Sequence, residues 1–437
     1  MKHPFDRGIL FPPEVENKRL TAGLPPEEFR PKTLVIPLKQ GIGEACVPVV
    51  EPGQGVKAGE LVGRPLKEGV PVHCGVSGTV SAVENRPTLE GEGLCVVVEN
   101  DFAGVAASGL KREEGREGLI RLMQEAGLVG MGGAGFPTYR KYAWDKPLEQ
   151  VLINGCECEP YLTCDHALML YWPERVVAGA KAMGEAAGGA AVVICVEDNK
   201  RDAIARLEET AGNSGVRVQV LPSRYPQGGE RQVIQSVLGR EVPAGALPAS
   251  CGGLGSNVAT AAALADALDG RPLTHRIVTV TGRVERPANL VVPVGTLLSE
   301  LLEYSGGMEL VPDVGFRVIA GGPMTGRAVE DLRVPVTKTT AGLVTLPPPT
   351  LEERNCIRCG ACARVCPARL MPFAIDAAAI AGNMAVCADY HAEQCIACGC
   401  CSFICPAKRF LATRVSLARG GVMARRRAAQ TQSERSG

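Results

Sequence analysis

The chain has 437 residues, of which 46% are hydrophobic and 22% are charged, and its formal net charge is zero. This length and composition predict about three globular domains with a sizeable core, and a neutral chain is not expected to bind nucleic acid. No apolar run approaches the ~18 residues of a membrane span, and the N-terminus has no hydrophobic signal core.

The N-terminal third begins with a proline-rich stretch, residues 1–30, which predicts an extended arm and not a helix. Residues 31–105 are short apolar runs split by glycine, which favours a small all-β unit. The two halves around Pro52–Glu60 and Gly75–Val80 resemble a barrel–sandwich hybrid of the biotinyl/lipoyl type. Lys67 lies between these halves without the motifs that flank a modified lysine, so we interpret the module as structural.

Residues 110–272 carry alternating helix and strand patterns. An amphipathic helix over 117–128 leads into the glycine-rich loop Gly127–Thr138. Glycines let backbone N–H groups converge on an anion or a flat ring, although a bare glycine cluster is equally typical of a tight structural turn. The strand Val151–Ile153 ends at Asn154–Pro160, a position where ligand-binding residues lie in open α/β sheets. The later helices and strands, from Pro173 to Leu221, predict a parallel sheet.

The C-terminal third begins with short strands around one helix, residues 273–346, in which the helix is expected at Thr296–Tyr304. Pro347–Pro349 is a stiff linker to residues 350–420. Asp376–Cys387 is alanine-rich and predicts a helix. The basic tail, residues 421–437, suggests a membrane-surface or docking role, but we favour a solvated disordered tail.

Two cysteine runs near the C-terminus share the spacing C-x2-C-x2-C-x3-C-P. This spacing is typical of paired [4Fe–4S] clusters in which the fourth cysteine of each run ligates the other cluster. The predicted ligand sets are therefore Cys356, Cys359, Cys362 and Cys405 for cluster 1, and Cys366, Cys395, Cys398 and Cys401 for cluster 2. Two zinc knuckles or a disulfide scaffold are the alternatives.

The remaining ten cysteines show no framework spacing, so we expect free thiols and a reducing, cytoplasmic compartment. Cys400 is expected to be a free thiol beside the second cluster. Cys156, Cys158 and Cys164 lack a fourth ligand and a suitably spaced histidine, which favours packing over metal binding.

A family resemblance rests on four stretches that occur in the order seen in the NADH-binding flavoprotein subunit of respiratory complex I: Gly130–Thr138, Asn154–Pro160, Tyr225–Glu230 and Ser256–Thr260. With the doubled cysteine runs and further stretches, the chain resembles still more closely the RnfC family, a subunit of the Rnf complex, which is the ion-translocating ferredoxin:NAD oxidoreductase. The further stretches are Glu157–Asp165, Gly239–Pro243 and Gly321–Met324.

The resemblance implies a multidomain α/β and α+β fold: a barrel–sandwich hybrid, an α/β flavin domain with a parallel sheet, a β-grasp SLBB domain and a ferredoxin-like domain. It also implies binding residues for FMN and NAD(H). Phe136 would stack on the nicotinamide, Glu159 would bond NADH hydroxyls, and Glu230 would approach the reactive edge of the flavin. The residues implied to contact FMN are Gly130, Gly132, Gly133, Gly135, Lys141, Asn154, Glu157, Gly228, Ser256 and Asn257.

This chain departs from the complex I pattern at three places. Cys156 replaces an aspartate, Gly229-Glu230 replaces two glutamates, and Ser256-Asn257 replaces an asparagine pair. The alternative for Glu157 and Glu159 is a solvated loop without a ligand.

The combination of parts favours electron transfer, because nicotinamide moves two electrons, a cluster accepts one, and a flavin does both. The resemblance implies a peripheral subunit on the cytoplasmic face of the membrane, with NAD(H), non-covalent FMN and two [4Fe–4S] clusters. Its partners would be membrane and iron–sulfur subunits of the same complex. Ferredoxin would react at another subunit, coupled to Na⁺ or H⁺ movement. The alternatives are a soluble donor to a cobalamin or amino-acid reductase, and an iron–sulfur relay without flavin.

Overall fold

The computed structural model describes residues 5–308, 315–349 and 352–436, with backbone alone for 432–436. These residues fall into two compact units. The larger unit contains Glu14–Pro222 and Pro248–Pro348, and the smaller contains Met1–Pro13, Ser223–Leu247 and Pro349–Gly437. The flavin domain expected over residues 110–272 is therefore divided, because its segment Ser223–Leu247 belongs to the smaller unit.

The N-terminal arm is less extended than predicted. It contains a one-turn helix, α1 (Pro13–Glu16), a 3₁₀ turn at Lys18–Leu20 and a short strand, β1 (Glu27–Glu28). Proline is tolerated in the first turn of a helix, where its missing N–H has no partner anyway. Asn17 then adopts a left-handed conformation, with φ 45°, and starts the 3₁₀ turn.

The all-β module is present as two antiparallel sheets, of order β2-β8-β7-β4 and β3-β5-β6. Alternate apolar side chains of the strands, such as Leu34, Ile36, Val96 and Val98, are fully buried between the sheets. The strands are β2 (Thr33–Pro37), β3 (Cys46–Pro48), β4 (Gly55–Val56), β5 (Leu61–Pro65), β6 (Val72–His73), β7 (Gly78–Thr88) and β8 (Gly91–Asn100).

The α/β domain is built on a four-stranded sheet of order β11-β10-β9-β12, in which every pairing is parallel, as predicted. Strand β9 is central, and its Val151, Leu152 and Ile153 are fully buried. The elements in this stretch of the chain are α2 (Gly115–Glu125), α3 (Thr138–Tyr142), β9 (Gln150–Gly155), α4 (Cys164–Tyr171), α5 (Pro173–Ala186), β10 (Ala191–Glu197), α6 (Arg201–Ala211), β11 (Val216–Leu221), α7 (Glu230–Leu238), β12 (Gly253–Asn257) and α8 (Val258–Leu268), of which α7 belongs to the smaller unit. A 3₁₀ turn at Pro248–Cys251 precedes β12.

The next domain is a six-stranded mixed sheet of order β1-β14-β13-β17-β15-β16, which the arm completes through β1. The expected strands and helix are all present, and the helix begins at Leu298 instead of Thr296. The elements are β13 (His275–Gly282), β14 (Ala288–Pro293), α9 (Leu298–Tyr304), β15 (Arg317–Ala320), β16 (Arg327–Val329) and β17 (Gly342–Leu346).

The smaller unit consists mainly of short helices around the cysteine runs. The helix expected over Asp376–Cys387 is two helices, because the chain turns at Ala381–Asn383. The helices are α10 (Ala361–Val365), α11 (Pro372–Ile380), α12 (Met384–Asp389), α13 (Cys400–Phe403) and α14 (Leu411–Ser436), with a 3₁₀ turn at Ala392–Gln394.

The prediction of a disordered tail from residue 421 is wrong, because α14 continues through it to Ser436. The inner face of α14 is a buried stripe of Val415, Ala418 and Val422, which packs in the same core as Ile375 of α11. This buried stripe stabilises the first part of the helix, from which the exposed residues 424–431 continue.

The N-terminal residues and Ser223–Leu247 are fixed within the smaller unit by specific contacts. Ile9 and Tyr225 exchange backbone hydrogen bonds of 2.7 and 2.8 Å. The Tyr225 hydroxyl donates to the carbonyl oxygen of Cys398 at 2.7 Å. Phe11 packs edge-on against Phe403, with ring centroids 5.0 Å apart. The segment is therefore part of the cysteine-rich unit.

Candidate functional site

The parallel sheet has a topological switch point between β9 and β12. The chain passes from β9 to β10 on one side and later returns to place β12 on the other side of β9. Ligands bind outside the carboxyl ends of strands at such a point, where the two connections diverge and leave a crevice. Asn154 is the penultimate residue of β9 and Asn257 is the last residue of β12, and the two are direct partners in the register.

The glycine-rich loop lies at this crevice. The Met131 N–H donates to the Thr260 hydroxyl at 3.0 Å, which ties the loop to the start of α8. A Cβ added to Gly132 would lie 2.9 Å from Nδ2 of Asn257, whereas one added to Gly133 would meet no atom within 4 Å. Gly132 is thus required because a side chain there would collide with Asn257. Gly133 borders open space, where a ligand can approach the backbone.

Asparagine side chains connect the strand ends by hydrogen bonds. Asn257 Oδ1 accepts from the Ala259 N–H at 2.8 Å and caps α8, while its Nδ2 donates to Oδ2 of Asp165 at 2.7 Å. Asn154 Oδ1 accepts from the Cys156 N–H at 3.0 Å. Both amides therefore have fixed orientations at the crevice.

Asp165, at the start of α4, is an acid that sequence reasoning did not assign to the site. Burial, and next the negative charge of Glu157, raise the pKa of Asp165 from 3.8 to about 6, although the Asn257 hydrogen bond opposes the rise. Asp165 is the last residue of the stretch Glu157–Asp165, which resembles the family. An acidic residue in the first turn of a helix is the sequence feature that could have identified it as part of the site.

The side chains of Glu157 and Glu159 accept hydrogen bonds from the protein, unlike those of a solvated loop. Glu157 is 7% exposed, and its carboxylate accepts the N–H groups of Asp165 and His166 at 2.8 and 3.3 Å, so it caps α4. Glu159 Oε1 accepts the N–H groups of Met324 and Thr325 at 2.7 and 2.9 Å. Burial raises the pKa of Glu159, and these two donors oppose the rise.

Lys141 and Tyr142 of α3 both contact the edge strand β12, at Gly255 and Ser256. Lys141 Nζ donates to the carbonyl oxygen of Gly255 at 2.6 Å. The Ser256 hydroxyl is 2.9 Å from that of Tyr142. Both contacts join α3 to β12, so the helix that follows the glycine loop is fixed to the strand that forms the crevice.

The remaining residues expected at the flavin are distributed between the two units. Phe136 follows the glycine loop and is 40% exposed. Gly130 and Gly135 lie in the same loop, where the Gly130 N–H donates to the Phe136 carbonyl at 2.8 Å and the Gly135 carbonyl accepts from Ile42 at 3.3 Å. Gly228 and Glu230 belong to the smaller unit, with Glu230 the first residue of α7.

The cysteines expected to hold cluster 1 line a single cavity of about 340 Å³ in the smaller unit. Cys356 and Cys359 are exposed, whereas Cys362 and Cys405 are buried. The Arg358 N–H points at Cys356 Sγ, with an N–S distance of 3.4 Å. The fourth cysteine of the second run therefore lies at the same cavity as the first three cysteines of the first run. The Arg358 N–H provides a hydrogen-bond donor to one of these sulfurs.

A second cavity, of about 370 Å³, is lined by the four cysteines expected for cluster 2: Cys366, Cys395, Cys398 and Cys401. Cys400 lines the same cavity. The Ala397 N–H lies 3.3 Å from Cys395 Sγ, and both Ala397 and Arg358 have a φ of 55°. The two loops thus repeat one geometry. All eighteen cysteines lie in the described residues and none of them forms a disulfide, which excludes a disulfide scaffold in this structure.

The family models match four successive parts of the chain. The RnfC barrel–sandwich hybrid domain matches residues 3–103, the Nuo51 FMN-binding domain 123–266, the SLBB domain 277–328 and a 4Fe-4S binding domain 349–369. A relative from Acetobacterium woodii, named as a subunit of a Na⁺-translocating ferredoxin:NAD⁺ oxidoreductase complex, is 39% identical over 98% of this chain and 99% of its own.

The chain belongs to the RnfC family of subunits from ion-translocating ferredoxin:NAD⁺ oxidoreductase complexes.

Two other RnfC-family relatives are similar. One, from Clostridium ljungdahlii and proton-translocating by name, is 35% identical over 84% of this chain and 82% of its own. Another, from Pseudomonas aeruginosa, is 39% identical over 85% of this chain and 49% of its own. A solved NAD⁺-reducing [NiFe]-hydrogenase matches 62% of this chain and 53% of its own at 19% identity, with a TM-score of 0.45.

Membership of the RnfC family confirms the expected fold class and the expected cofactors, FMN and [4Fe–4S]. Within residues 5–308, 315–349 and 352–436, we find no helix with the length and hydropathy needed to cross a bilayer. The iron–sulfur match covers residues 349–369 and therefore favours iron over zinc at the first cysteine run.

Proposed function

We propose that this RnfC-family protein exchanges electrons between NAD(H) and two [4Fe–4S] clusters by way of non-covalent FMN. The observation that carries the proposal is the occurrence, in one chain, of a glycine-lined crevice at a sheet switch point and two four-cysteine cavities. Bound FMN supplies the conversion between two-electron and one-electron transfer.

The residues of the larger unit fit a flat ring with a phosphate tail. Gly132 and Gly133 expose backbone at the crevice without side chains, and Asn154 and Asn257 present fixed amides beside it. We assign Gly130, Gly135, Lys141, Ser256 and Glu157 to the surrounding support, since their contacts hold the loop and strand ends in place.

The residues that would meet NAD(H) are assigned separately. Phe136 offers an exposed ring for stacking on the nicotinamide. Since Oε1 of Glu159 already accepts two N–H groups, we assign its Oε2 to the NADH hydroxyls. Gly228 and Glu230 lie in the smaller unit, and their role at the flavin stays a prediction from their family motif, Tyr225–Glu230.

For the clusters, we propose that each cavity holds one [4Fe–4S] group through its four thiolates. Cys356, Cys359 and Cys362 would share a cluster with Cys405, and Cys395, Cys398 and Cys401 with Cys366. The N–H groups of Arg358 and Ala397 would stabilise the negative sulfurs, one of the means by which proteins set a cluster potential.

The partners follow from the relatives, which are named as subunits of ion-translocating oxidoreductase complexes. We propose that this chain lies on the cytoplasmic face of such a complex in the membrane, as a peripheral subunit that gives electrons to, or takes them from, membrane and iron–sulfur subunits. Ferredoxin would react at one of those subunits, and Na⁺ or H⁺ movement would be coupled to the electron transfer.

A matched pair of asparagine variants tests the flavin site. Asn257 and Asn383 both cap helices with their side-chain oxygen, but only Asn257 lies at the crevice. We expect Asn257→Ala to weaken FMN binding about tenfold, because both its amide contact and the position of the loop are lost. Asn383→Ala should bind FMN like the parent chain, and titration with flavin fluorescence distinguishes the two.

The proposal also predicts that the parent chain, purified anaerobically, binds FMN and that NADH then bleaches its iron–sulfur absorbance. A chain that contains iron but binds no FMN, or one whose two asparagine variants are equally affected, would contradict the assignment of the crevice.

A further inference from the structure

The loop between β9 and α4, residues 156–162, directs three carbonyl oxygens at one ammonium group. Lys18 Nζ donates to the carbonyl oxygens of Glu157, Glu159 and Leu162 at 2.7, 2.8 and 2.6 Å. Lys18 comes from the N-terminal arm, and its side chain is part-buried. An ammonium group has three N–H donors, so this contact uses all of them.

The chemistry of this cage is that of a monovalent cation site. All three ligands are neutral carbonyl oxygens, which replace the hydration shell of ions such as K⁺ in proteins. All three distances exceed the about 2.0–2.1 Å that Mg²⁺ requires, and the distances to Glu157 and Glu159 also exceed the about 2.3–2.6 Å typical of Ca²⁺. The chain thus supplies, as a side chain, the cation that such a loop would otherwise take from solution.

The arm holds Lys18 firmly on both sides. The Glu16 carbonyl accepts from the Tyr161 N–H at 2.8 Å. The hydroxyls of Thr21 and Thr163 are 2.7 Å apart, and the Thr21 carbonyl accepts from Asn289 at 3.2 Å. The backbone of Lys18 is therefore fixed before its side chain contacts the cage, which lowers the entropy cost of holding the ammonium there.

The loop that Lys18 holds carries side chains of the candidate site. Glu157 caps α4, and Asp165 in the first turn of that helix accepts a hydrogen bond from the amide of Asn257. Glu159 is bonded to the backbone of Met324. A loop carbonyl that turned away from Lys18 would move one or both of these carboxylates.

We propose that Lys18 is a positioning residue of the flavin site, and that its ammonium group acts as a built-in monovalent cation that fixes residues 156–162. The inference rests on the proposed function only for its effect on FMN. The cage itself is a property of the FMN-free chain and is tested there.

The experiment compares Lys18→Ala with Arg19→Ala, a neighbouring exposed cation outside the cage. In the FMN-free chain, hydrogen–deuterium exchange of residues 156–162 should be at least about tenfold faster in Lys18→Ala, and unchanged in Arg19→Ala. Added ammonium chloride should restore the slow exchange. Tetramethylammonium chloride at the same ionic strength should not, because it has the charge but no N–H donors.

FMN titrations of the same proteins give the second readout. Lys18→Ala should bind FMN about tenfold more weakly, with the loss reversed by ammonium and not by tetramethylammonium. Unchanged exchange in Lys18→Ala, or equal rescue by both salts, overturns the cage. If ammonium restores slow exchange in Lys18→Ala but the parent chain binds no FMN, the cage is upheld and the proposed flavin site is refuted.

Discussion

The close approach of Gly132 to Asn257 allows a quantitative test. In Gly132→Ala, the new methyl group would lie 2.9 Å from Nδ2 and 3.0 Å from both Cβ and Cγ of Asn257. Carbon atoms do not approach that closely without repulsion, so Asn257 must move. Its movement breaks the 2.8 Å cap on α8 and the 2.7 Å hydrogen bond to Asp165.

The size of the effect follows from these contacts. Loss of an N-cap costs about 1 kcal/mol, and loss of a hydrogen bond to a charged group about 1.5–3 kcal/mol. Because the structure relaxes partly around an inserted methyl group, we expect the free energy of unfolding to fall by about 1–3 kcal/mol. If Asn257 contacts FMN, the affinity for FMN should fall by about tenfold or more as well.

The assay is urea unfolding of the FMN-free chain, followed by tryptophan fluorescence. Both tryptophans, Trp144 and Trp172, lie in the larger unit and therefore report on it. Gly55→Ala is the matched control, because its added Cβ would meet no atom closer than 4.0 Å. This control should unfold at the urea concentration of the parent chain.

A double-mutant cycle isolates the contact. Asn257→Gly removes all three atoms near the new methyl group, and glycine is tolerated at an N-cap at a cost of a few tenths of a kcal/mol. In that background Gly132→Ala should cost little, which gives a coupling energy of about 1–2 kcal/mol. An equal cost of Gly132→Ala in both backgrounds would refute the contact and, with it, the placement of the glycine loop at the crevice.

Two further predictions concern pH and the clusters. Burial and the charge of Glu157 raise the pKa of Asp165 from 3.8 to about 6. The Asp165 carboxylate therefore binds a proton more tightly in the folded chain than in the unfolded chain. The free energy of unfolding should therefore fall as pH rises from about 4 to about 6, and Asp165→Asn should remove that part of the dependence in urea titrations. Cys405→Ser should abolish the cluster signal assigned to the first cysteine run and halve the iron content, while Cys251→Ser should change neither. Loss of the other cluster's signal would show that Cys405 does not ligate the cluster of the first run.

Much of the fold follows from local patterns. The helices and strands predicted from Pro173 to Leu221 are present and end with β11 at Leu221, and β9 contains the predicted Val151–Ile153. Apolar runs that end in turn residues define such strands, and alternation with helices implies a parallel sheet. The cysteine spacing likewise predicts which thiols line each cavity, because that spacing is set by the shape of the cluster.

Other features depend on contacts between distant residues. Sequence patterns miss helix α4 because its N-terminus is capped by the Glu157 carboxylate across a loop, and not by a local capping residue. The segment Ser223–Leu247 carries a flavin-family motif but packs with the cysteine-rich unit, partly through the hydrogen bond from Tyr225 to Cys398. The role of Lys18 depends on three carbonyl oxygens far along the chain, which no local pattern reveals.

The prediction for the tail is wrong for a different reason. Its charge suggests disorder, yet Val415, Ala418 and Val422 follow the i, i+3, i+7 spacing of a helix face and are buried. Val415 and Ala418 precede the tail and Val422 lies near its start, so this apolar face fixes the beginning of the helix that continues through the tail.

The most direct test of the central claim is anaerobic reduction of the purified chain by NADH, followed by flavin absorbance and by electron paramagnetic resonance of the clusters. The account predicts that NADH reduces both clusters, and that removal of FMN abolishes this reduction until FMN is restored. Clusters that NADH reduces equally well without FMN, or cysteine cavities that hold zinc in place of iron, would contradict it.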